Sequence, residues 1–365
     1  MRSVIPHALA PTGSDRNLWL KSDLPSGRPK ASFDTHVFWD FGPTRGRRKS
    51  CGSSRLTGQG QTVQVDRHHV EITRPTKVLF PGDGITKADL IDYYRRIAPW
   101  ILPYMRGRPL AMERYPDGID KPSFFHKMVP SYYPDWIKTV TVNKAGGTVT
   151  HVICDNEATL VYLANQACIT PHVWLSRFNK LRYPDQMVFD LDPSGEEFGL
   201  VKSTAQDLSG LLDELGLPAY VKTTGSKGLH VAVPLKRQED FDSVRAFARR
   251  VAEIVVHEDP GQRTLEQRRN RRRGRVFVDT NRNAYAQTVA PAYAVRARPH
   301  APISVPLAWS ELENEDLRPD GVTIMGVFER LEKVGDPWKN FRRDATSLKV
   351  AYRKLEKRSA TRKIR

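Results

Sequence analysis

Met187-Val188-Phe189-Asp190-Leu191-Asp192-Pro193 is a run of β-forming residues that carries two aspartates two positions apart and stops at a proline. Successive side chains of a strand leave opposite faces, so Asp190 and Asp192 share one face. Two carboxylates held that close repel one another unless a cation sits between them. Taken alone, the pair reads as a solvated strand end ahead of the turn Pro193-Ser194-Gly195. Two downstream stretches change that reading.

The first is Lys222-Thr223-Thr224-Gly225-Ser226-Lys227-Gly228-Leu229-His230, followed by the apolar segment Val231-Ala232-Val233-Pro234-Leu235. Small residues, hydroxyls and two glycines expose backbone N–H groups, and Lys227 adds a positive point charge, a common way to hold phosphate. The spacing is not that of a Walker A loop, and a strand rather than a helix follows. A plain glycine-rich hairpin turn fits the same residues. The second stretch is Arg275-Val276-Phe277-Val278-Asp279, preceded by the basic run from Arg268 to Arg273. Together Asp190, Asp192 and Asp279 offer three carboxylates to two divalent ions, the grouping that suits phosphoryl transfer. Hard oxygen donors without paired cysteines favour Mn²⁺ or Mg²⁺ over zinc.

These three stretches, with Asn283 and the segment Ala290-Pro291-Ala292-Tyr293-Ala294-Val295-Arg296, resemble the polymerase domain of bacterial DNA ligase D, a branch of the archaeo-eukaryotic primase superfamily. The resemblance runs from about Val70 to about Asp336. It implies an α/β (α+β) primase-like core, a central mixed sheet flanked by helices. It also implies a template-dependent nucleotidyltransferase of non-homologous end joining that prefers ribonucleotides and manganese. The substrates so implied are an NTP or dNTP and a DNA end, or gapped DNA with a 5′-phosphate; the implied partners are Ku and a separate DNA ligase.

By the same resemblance His172, Thr224, Gly225, Ser226, Lys227, His230 and Arg296 hold the nucleotide. Lys77 and Lys87 grip the 5′-phosphate, Phe124 and Phe125 stack on bases, and Arg272 contacts the DNA end. Read without the family, the lysines are surface charges, His172 is a hydrogen-bonded polar residue, and the run 268–273 is a solvated loop. Adjacent aromatics on a strand face opposite ways, so at most one of Phe124 and Phe125 belongs to a core. Two positions depart from the family pattern. Glu113 stands where a lysine is usual and is expected to weaken a nucleic-acid contact; Thr224 replaces a serine and keeps its hydroxyl.

Composition sets the outer bounds. The chain has 365 residues, a formal charge of +17 and an isoelectric point near 9.8, so its surface attracts polyanions without choosing among them. Cys51, Cys154 and Cys168 show no metal-ligand spacing and suit a reducing compartment. With no transmembrane-length apolar run and no signal peptide, a cytoplasmic, nucleoid-associated protein with no membrane partner is expected. A metal-dependent nuclease and a non-catalytic DNA-end-binding module are the rival functions.

Along the chain, residues 1–62 are rich in Pro, Gly, Ser and Arg and carry no glutamate. They read as a disordered basic arm or as translation from a start codon placed too far upstream. Residues 63–340 form the expected catalytic domain, and 341–365 a basic C-terminal tail. Thr86 is a plausible N-cap for a helix with Leu90, Ile91, Tyr94, Ile97, Ala98 and Ile101 on one side. Further helices are expected over 160–167, 201–215, 241–256 and 325–334. No Lys-x-Asp-Gly adenylation motif occurs, so a stand-alone polymerase relative is expected.

Overall fold

The structure, a computed structural model, describes residues 61–363 apart from residue 145, with side chains described to residue 358. The expected basic arm therefore lies outside the described residues, save for Gln61 and Thr62, which open the strand Gln61–Val65.

Two six-stranded sheets organise the fold. The mixed sheet runs, edge to edge, Arg263–Thr264, Val276–Asp279, Gln186–Asp192, Leu229–Pro234, Tyr220–Thr223 and Pro306–Leu307. Only its first pair is parallel. The Asp190-Asp192 strand is thus central and buried from Gln186 to Leu191, which is why it reads as an almost continuous apolar run. The helices Phe198–Glu214 and Phe241–Glu258 pack on this strand and on each other. Their stripes, Val201, Ala205, Leu208 and Leu212 on one and Val244, Phe247, Ala248 and Val251 on the other, are fully buried. Each large apolar side chain so buried contributes about 1.5–3 kcal/mol, and truncating Phe247 to alanine would cost about 3–5 kcal/mol.

The second sheet is antiparallel and was not separable in the sequence reading. It runs Thr288–Val289, Cys168–Trp174, Pro109–Arg114, Gly147–Ile153 and Thr139–Lys144, with Phe124–His126 added along Pro109–Arg114. Helix Lys87–Met105 begins as its sequence dictates. The Thr86 hydroxyl accepts from the Asp89 amide at 3.3 Å while the Asp89 carboxylate accepts from the Thr86 amide at 2.7 Å, a reciprocal capping box. It packs on helix Glu157–Asn165, capped by Asn156, which is buried on every side and so lacks a polar face.

The C-terminal segment is basic, as expected, but it carries structure. Helix Lys349–Lys363 follows Leu348 and buries that residue with Ala351 and Leu355, so the packed body continues past 340. Among the described residues no helix is long and apolar enough to cross a membrane.

Candidate active site

Strand register assembles the carboxylates. Asp190 pairs with His230 on one neighbouring strand and with Asp279 on the other, and Asp192 pairs with Phe277. Like charges directly across a ladder are unfavourable. Burial, then the charge of Asp190, pushes the Asp192 carboxyl up to about 6. Burial likewise raises Asp279, with Asp190 adding to it, although Asp279 also accepts from the Asn281 amide at 2.7 Å. Burial works against ionisation of Asp190 too, but the His230 ring and the Arg282 and Lys222 charges hold it below the usual carboxylate range. His230 Nε2 lies 3.3 Å from Asp190 Oδ1 and Arg282 Nε lies 3.5 Å from Oδ2.

The glycine-rich stretch is the turn between Tyr220–Thr223 and Leu229–Pro234. Both of its glycines have steric causes. Gly225 holds φ +64°, and a Cβ there would lie 2.7 Å from Arg296 Cγ and 2.8 Å from the Ile303 carbonyl carbon. A Cβ on Gly228 would meet the Leu191 carbonyl oxygen. The Thr224 hydroxyl accepts from the amides of Ser226 at 3.2 Å and Gly228 at 3.1 Å, so it shapes the loop. Lys227 is exposed. Arg296 Nη1 donates to the Thr224 carbonyl at 3.1 Å, while its Nε is buried without a partner.

The second sheet supplies the opposite wall. His172 Nε2 lies 3.0 Å from Glu113 Oε2, and the Tyr115 hydroxyl donates to Glu113 Oε1 at 2.9 Å. Burial lowers the His172 pKa, and Glu113 partly offsets this. The Phe125 ring lies 5.2 Å from the His172 ring. Asp190, Asp192, His172, Ser226, His230 and Arg296 all line one cleft of about 300 Å³, together with Glu113, Phe125, Thr224, Lys227 and Arg282.

Among the described residues no three His, Cys, Asp or Glu side chains are grouped so as to hold a metal ion as they stand. The donors nonetheless suit a hard divalent ion. Asp190 Oδ1 is buried with no hydrogen-bond partner, and two further carboxyls are raised by burial and by their neighbour's charge, which a cation would relieve.

A family model described as "LigD, primase-polymerase domain" matches residues 86–338. The chain belongs to this family. It is 34% identical over 270 residues to the multifunctional non-homologous end joining protein LigD of Mycolicibacterium smegmatis, covering 73% of this chain and 35% of that protein. With the bifunctional LigD of Bacillus subtilis it shares 30% identity over 307 residues, 81% of this chain and 49% of that one. The chain thus spans about a third to a half of the length of the curated relatives it matches. The polymerase domain of Mycobacterium tuberculosis ligase D, solved in complex with DNA, superposes with a TM-score of 0.72 at 33% identity, over 76% of this chain and 99% of that one. The mixed sheet with its helices is therefore the primase-like core of the LigD polymerases.

The DNA-contact residues named from the LigD resemblance fall outside the carboxylate cleft, apart from Phe125. Lys77 and Lys87 line a second cleft of about 330 Å³ with Arg74 and Arg114. Lys77 is bound to Asp117 at 2.6 Å. Lys87 is not the surface residue that a family-blind reading makes it: it is buried and its Nζ donates to Thr73 Oγ1 at 3.1 Å and the Asn165 carbonyl at 3.2 Å. Burial, then the charges of Arg74 and Lys77, brings its pKa down to about 8. Neither Phe124 nor Phe125 is core; they are 45% and 55% exposed on an edge strand. Arg272 donates to the carbonyls of Glu266 and Gln267 at 3.0 and 2.8 Å and lies 4.0 Å over the Phe277 ring, beside the Asp192 register position.

One group, Arg282, is missing from the sequence reading, and three residues it names do more than it assigns them. Arg282 follows Asp279 by three residues with no periodicity to mark it, yet reaches Asp190. Lys222 sits in the quoted motif but was given no role; it is buried behind His230, bonded to Ser304, with a pKa that burial and Arg296 lower to about 7. Asn283 clamps the central strand through the Val188 amide at 2.8 Å and carbonyl at 2.7 Å. Glu113, expected only to weaken a nucleic-acid contact, orients His172.

Proposed function

We propose that the chain is a template-dependent nucleotidyltransferase that adds nucleotides, ribonucleotides in preference, to DNA 3′ ends during end joining. The observation that carries this reading is the register at Asp190, which sets a second carboxylate on one side and the triphosphate-type loop on the other. Relatives named as end-joining proteins and a structural neighbour bound to DNA support it.

Asp190, Asp192 and Asp279 would hold two divalent ions, Mn²⁺ or Mg²⁺. When bound, such ions acidify an attacking 3′-hydroxyl and neutralise charge on the leaving pyrophosphate. The chain's own residues bind and orient. The loop from Thr224 to Lys227 presents amide groups and an ammonium to the triphosphate, and the Arg296 guanidinium, its Nε unpartnered, offers a planar donor fork to the same oxygens. His230, which burial and Lys222 bring down to about 4, stays neutral at working pH and places no charge of its own beside Asp190. His172, fixed by Glu113, and Phe125 border the space for sugar and base. Phe124 and Phe125 stack on template bases, Arg272 meets the DNA end, and the Lys77-Lys87 cleft takes a 5′-phosphate. Action in the nucleoid beside Ku and a separate ligase completes the reading.

The test is incubation of the protein with short gapped, 5′-phosphorylated DNA, Mn²⁺ or Mg²⁺, and each NTP or dNTP, with the primer resolved on a denaturing gel. Templated lengthening favouring NTPs is expected. Primer shortening would establish the nuclease instead, and an unaltered primer that still shifts on a native gel would establish the binding module.

A further inference from the structure

The central strand has two ends, and only one of them carries the carboxylates. Asp185 directly precedes the strand and Asp192 closes it, so at about 3.3 Å per residue some 23 Å separate the two. At the Asp185 end lies a cleft of about 520 Å³, larger than the carboxylate cleft. Five arginines line it: Arg106, Arg108, Arg177, Arg237 and Arg342.

The carboxylates on that lining are already committed. Asp185 is held by Arg108 Nη2 at 2.7 Å and by Arg177 Nε at 2.7 Å. Asp155 accepts from the Gly107 amide at 2.6 Å and from Lys138 Nζ at 2.9 Å. Arg106, Arg237 and Arg342 have no carboxylate partner among the described residues. The Arg108 side chain is buried, and its Nε has no partner. Arg237 Nε is likewise buried and unpartnered. The backbone around Arg237 is held in a left-handed turn, φ +58°, unusual for a side chain of that size, and Lys180 Nζ ties its carbonyl at 2.6 Å. Cationic neighbours, Arg177 first, lower the Arg342 pKa. Like charges brought together around an open cleft are what an anion site looks like.

We infer that this arginine cleft is a second nucleic-acid site, binding the phosphodiester backbone of a single strand at the end of the sheet remote from the carboxylates. Guanidinium forks match phosphate oxygens in pairs. Phe178, 39% exposed on the same lining, is an aromatic ring with the Lys138 ammonium 4.1 Å from its centre, and the Asn179 amide oxygen holds Arg237 Nη2 at 2.8 Å. An aromatic ring among arginines is the composition that takes single strands without regard to sequence. An acidic peptide would use the charges but not the ring.

The test compares the full chain with the double variant Arg106→Ser/Arg342→Ser, two exposed side chains whose loss leaves the core intact. The probe is a fluorescein-labelled 20-residue oligothymidylate carrying 5-iododeoxyuridine, titrated at several salt concentrations and then photo-crosslinked and mapped. Expected are a crosslink at or beside Phe178 in the parent that the variant loses, affinity about tenfold weaker in the variant, and a salt slope smaller by roughly 0.7 per phosphate contact removed. Templated insertion on a short gapped duplex should stay the same in both proteins, which separates this site from the polymerase reading. Crosslinks confined to Phe124 and Phe125 with equal affinities would overturn the inference. So would displacement of the oligonucleotide from this site by polyglutamate as readily as by unlabelled DNA, or by free ATP or inorganic phosphate at equal phosphate concentration.

Discussion

The alpha carbon of Gly228 sits so close to Leu191 that a Cβ added to it would collide with the Leu191 carbonyl oxygen. Leu191 is the residue between Asp190 and Asp192. The glycine-rich turn is therefore seated directly on the carboxylate strand, and its second glycine owes its identity to this contact and not to a positive φ. Gly228→Ala must push the turn off the strand. The expected penalty is about 3 kcal/mol, the upper end of overpacking costs, together with near-complete loss of primer extension. Thermal melting and the gap-filling assay read the two effects. A variant that melts like the parent and still extends primers would show that the turn is not docked in this way.

Asp192 is the carboxyl that the fold holds against its preference. Its folded pKa, about 6, lies above the ordinary carboxylate value, so the folded state binds extra protons between those limits. The stabilising proton is present at low pH and lost as pH rises through 6. At pH 7.5 in chelator, Asp192→Asn should therefore melt a few degrees higher than the parent, with the gain shrinking at pH 5. Adding Mn²⁺ or Mg²⁺ should raise the melting temperature of the parent more than that of the variant. Extension by Asp192→Asn should fall at least about a hundredfold, since one of three hard donors is gone. An unaltered metal response would remove Asp192 from the ion-binding set.

Most of the central architecture was readable because its signals are local. Alternation and apolar runs mark Gln186–Asp192 and Leu229–Pro234, helical stripes mark Phe198–Glu214 and Phe241–Glu258, and Thr86 announces its helix. The convergence of Asp190 with Asp279 was inferred from chemistry and is realised by register. What was hidden depends on tertiary placement. Nothing in Lys87 shows that it will be buried under Asn165, and nothing in Arg282 shows that a short helical turn at Asn281–Asn283 will aim it at Asp190. The separation into two sheets was hidden for the same reason: strands of the antiparallel sheet come from Pro109 to Val289, and only pairing partners distant in sequence assign them.

Phe124 and Phe125 are large, apolar and exposed on an edge strand, so the fold gains little from them. Arg114 lies 5.4 Å from the Phe124 ring centre, and Phe125 borders the carboxylate cleft. Stacking of a base on an aromatic ring is worth about 1–3 kcal/mol by alanine substitution. Phe124→Ala and Phe125→Ala should each weaken binding of gapped DNA by roughly tenfold while leaving the melting temperature within about a degree. A melting loss of several degrees in either variant would instead assign that ring to the packing of the sheet.

Lys87 gives the sharpest pH test. Its ammonium has three donors, two of them used by Thr73 and the Asn165 carbonyl, which leaves one for a ligand in the cleft shared with Lys77, Arg74 and Arg114. Burial, with Arg74 and Lys77, has already lowered its pKa to about 8, so above that pH the free protein has lost the proton that a bound phosphate needs. Binding must then take a proton up, and affinity falls as pH rises, by up to about tenfold per unit. The preference for a 5′-phosphorylated gap over a 5′-hydroxyl gap should accordingly be full near pH 7 and shrink steadily between pH 8 and 9.5. Lys87→Ala should reduce the preference at pH 7 and flatten its pH dependence, whereas Lys77→Ala should reduce the preference and leave a pH dependence in place, shifted to higher pH because one depressing charge is gone. Equilibrium binding of the two gapped DNAs across that range measures all three. A phosphate preference that is constant from pH 7 to 9.5 in the parent would mean that Lys87 does not hold the phosphate.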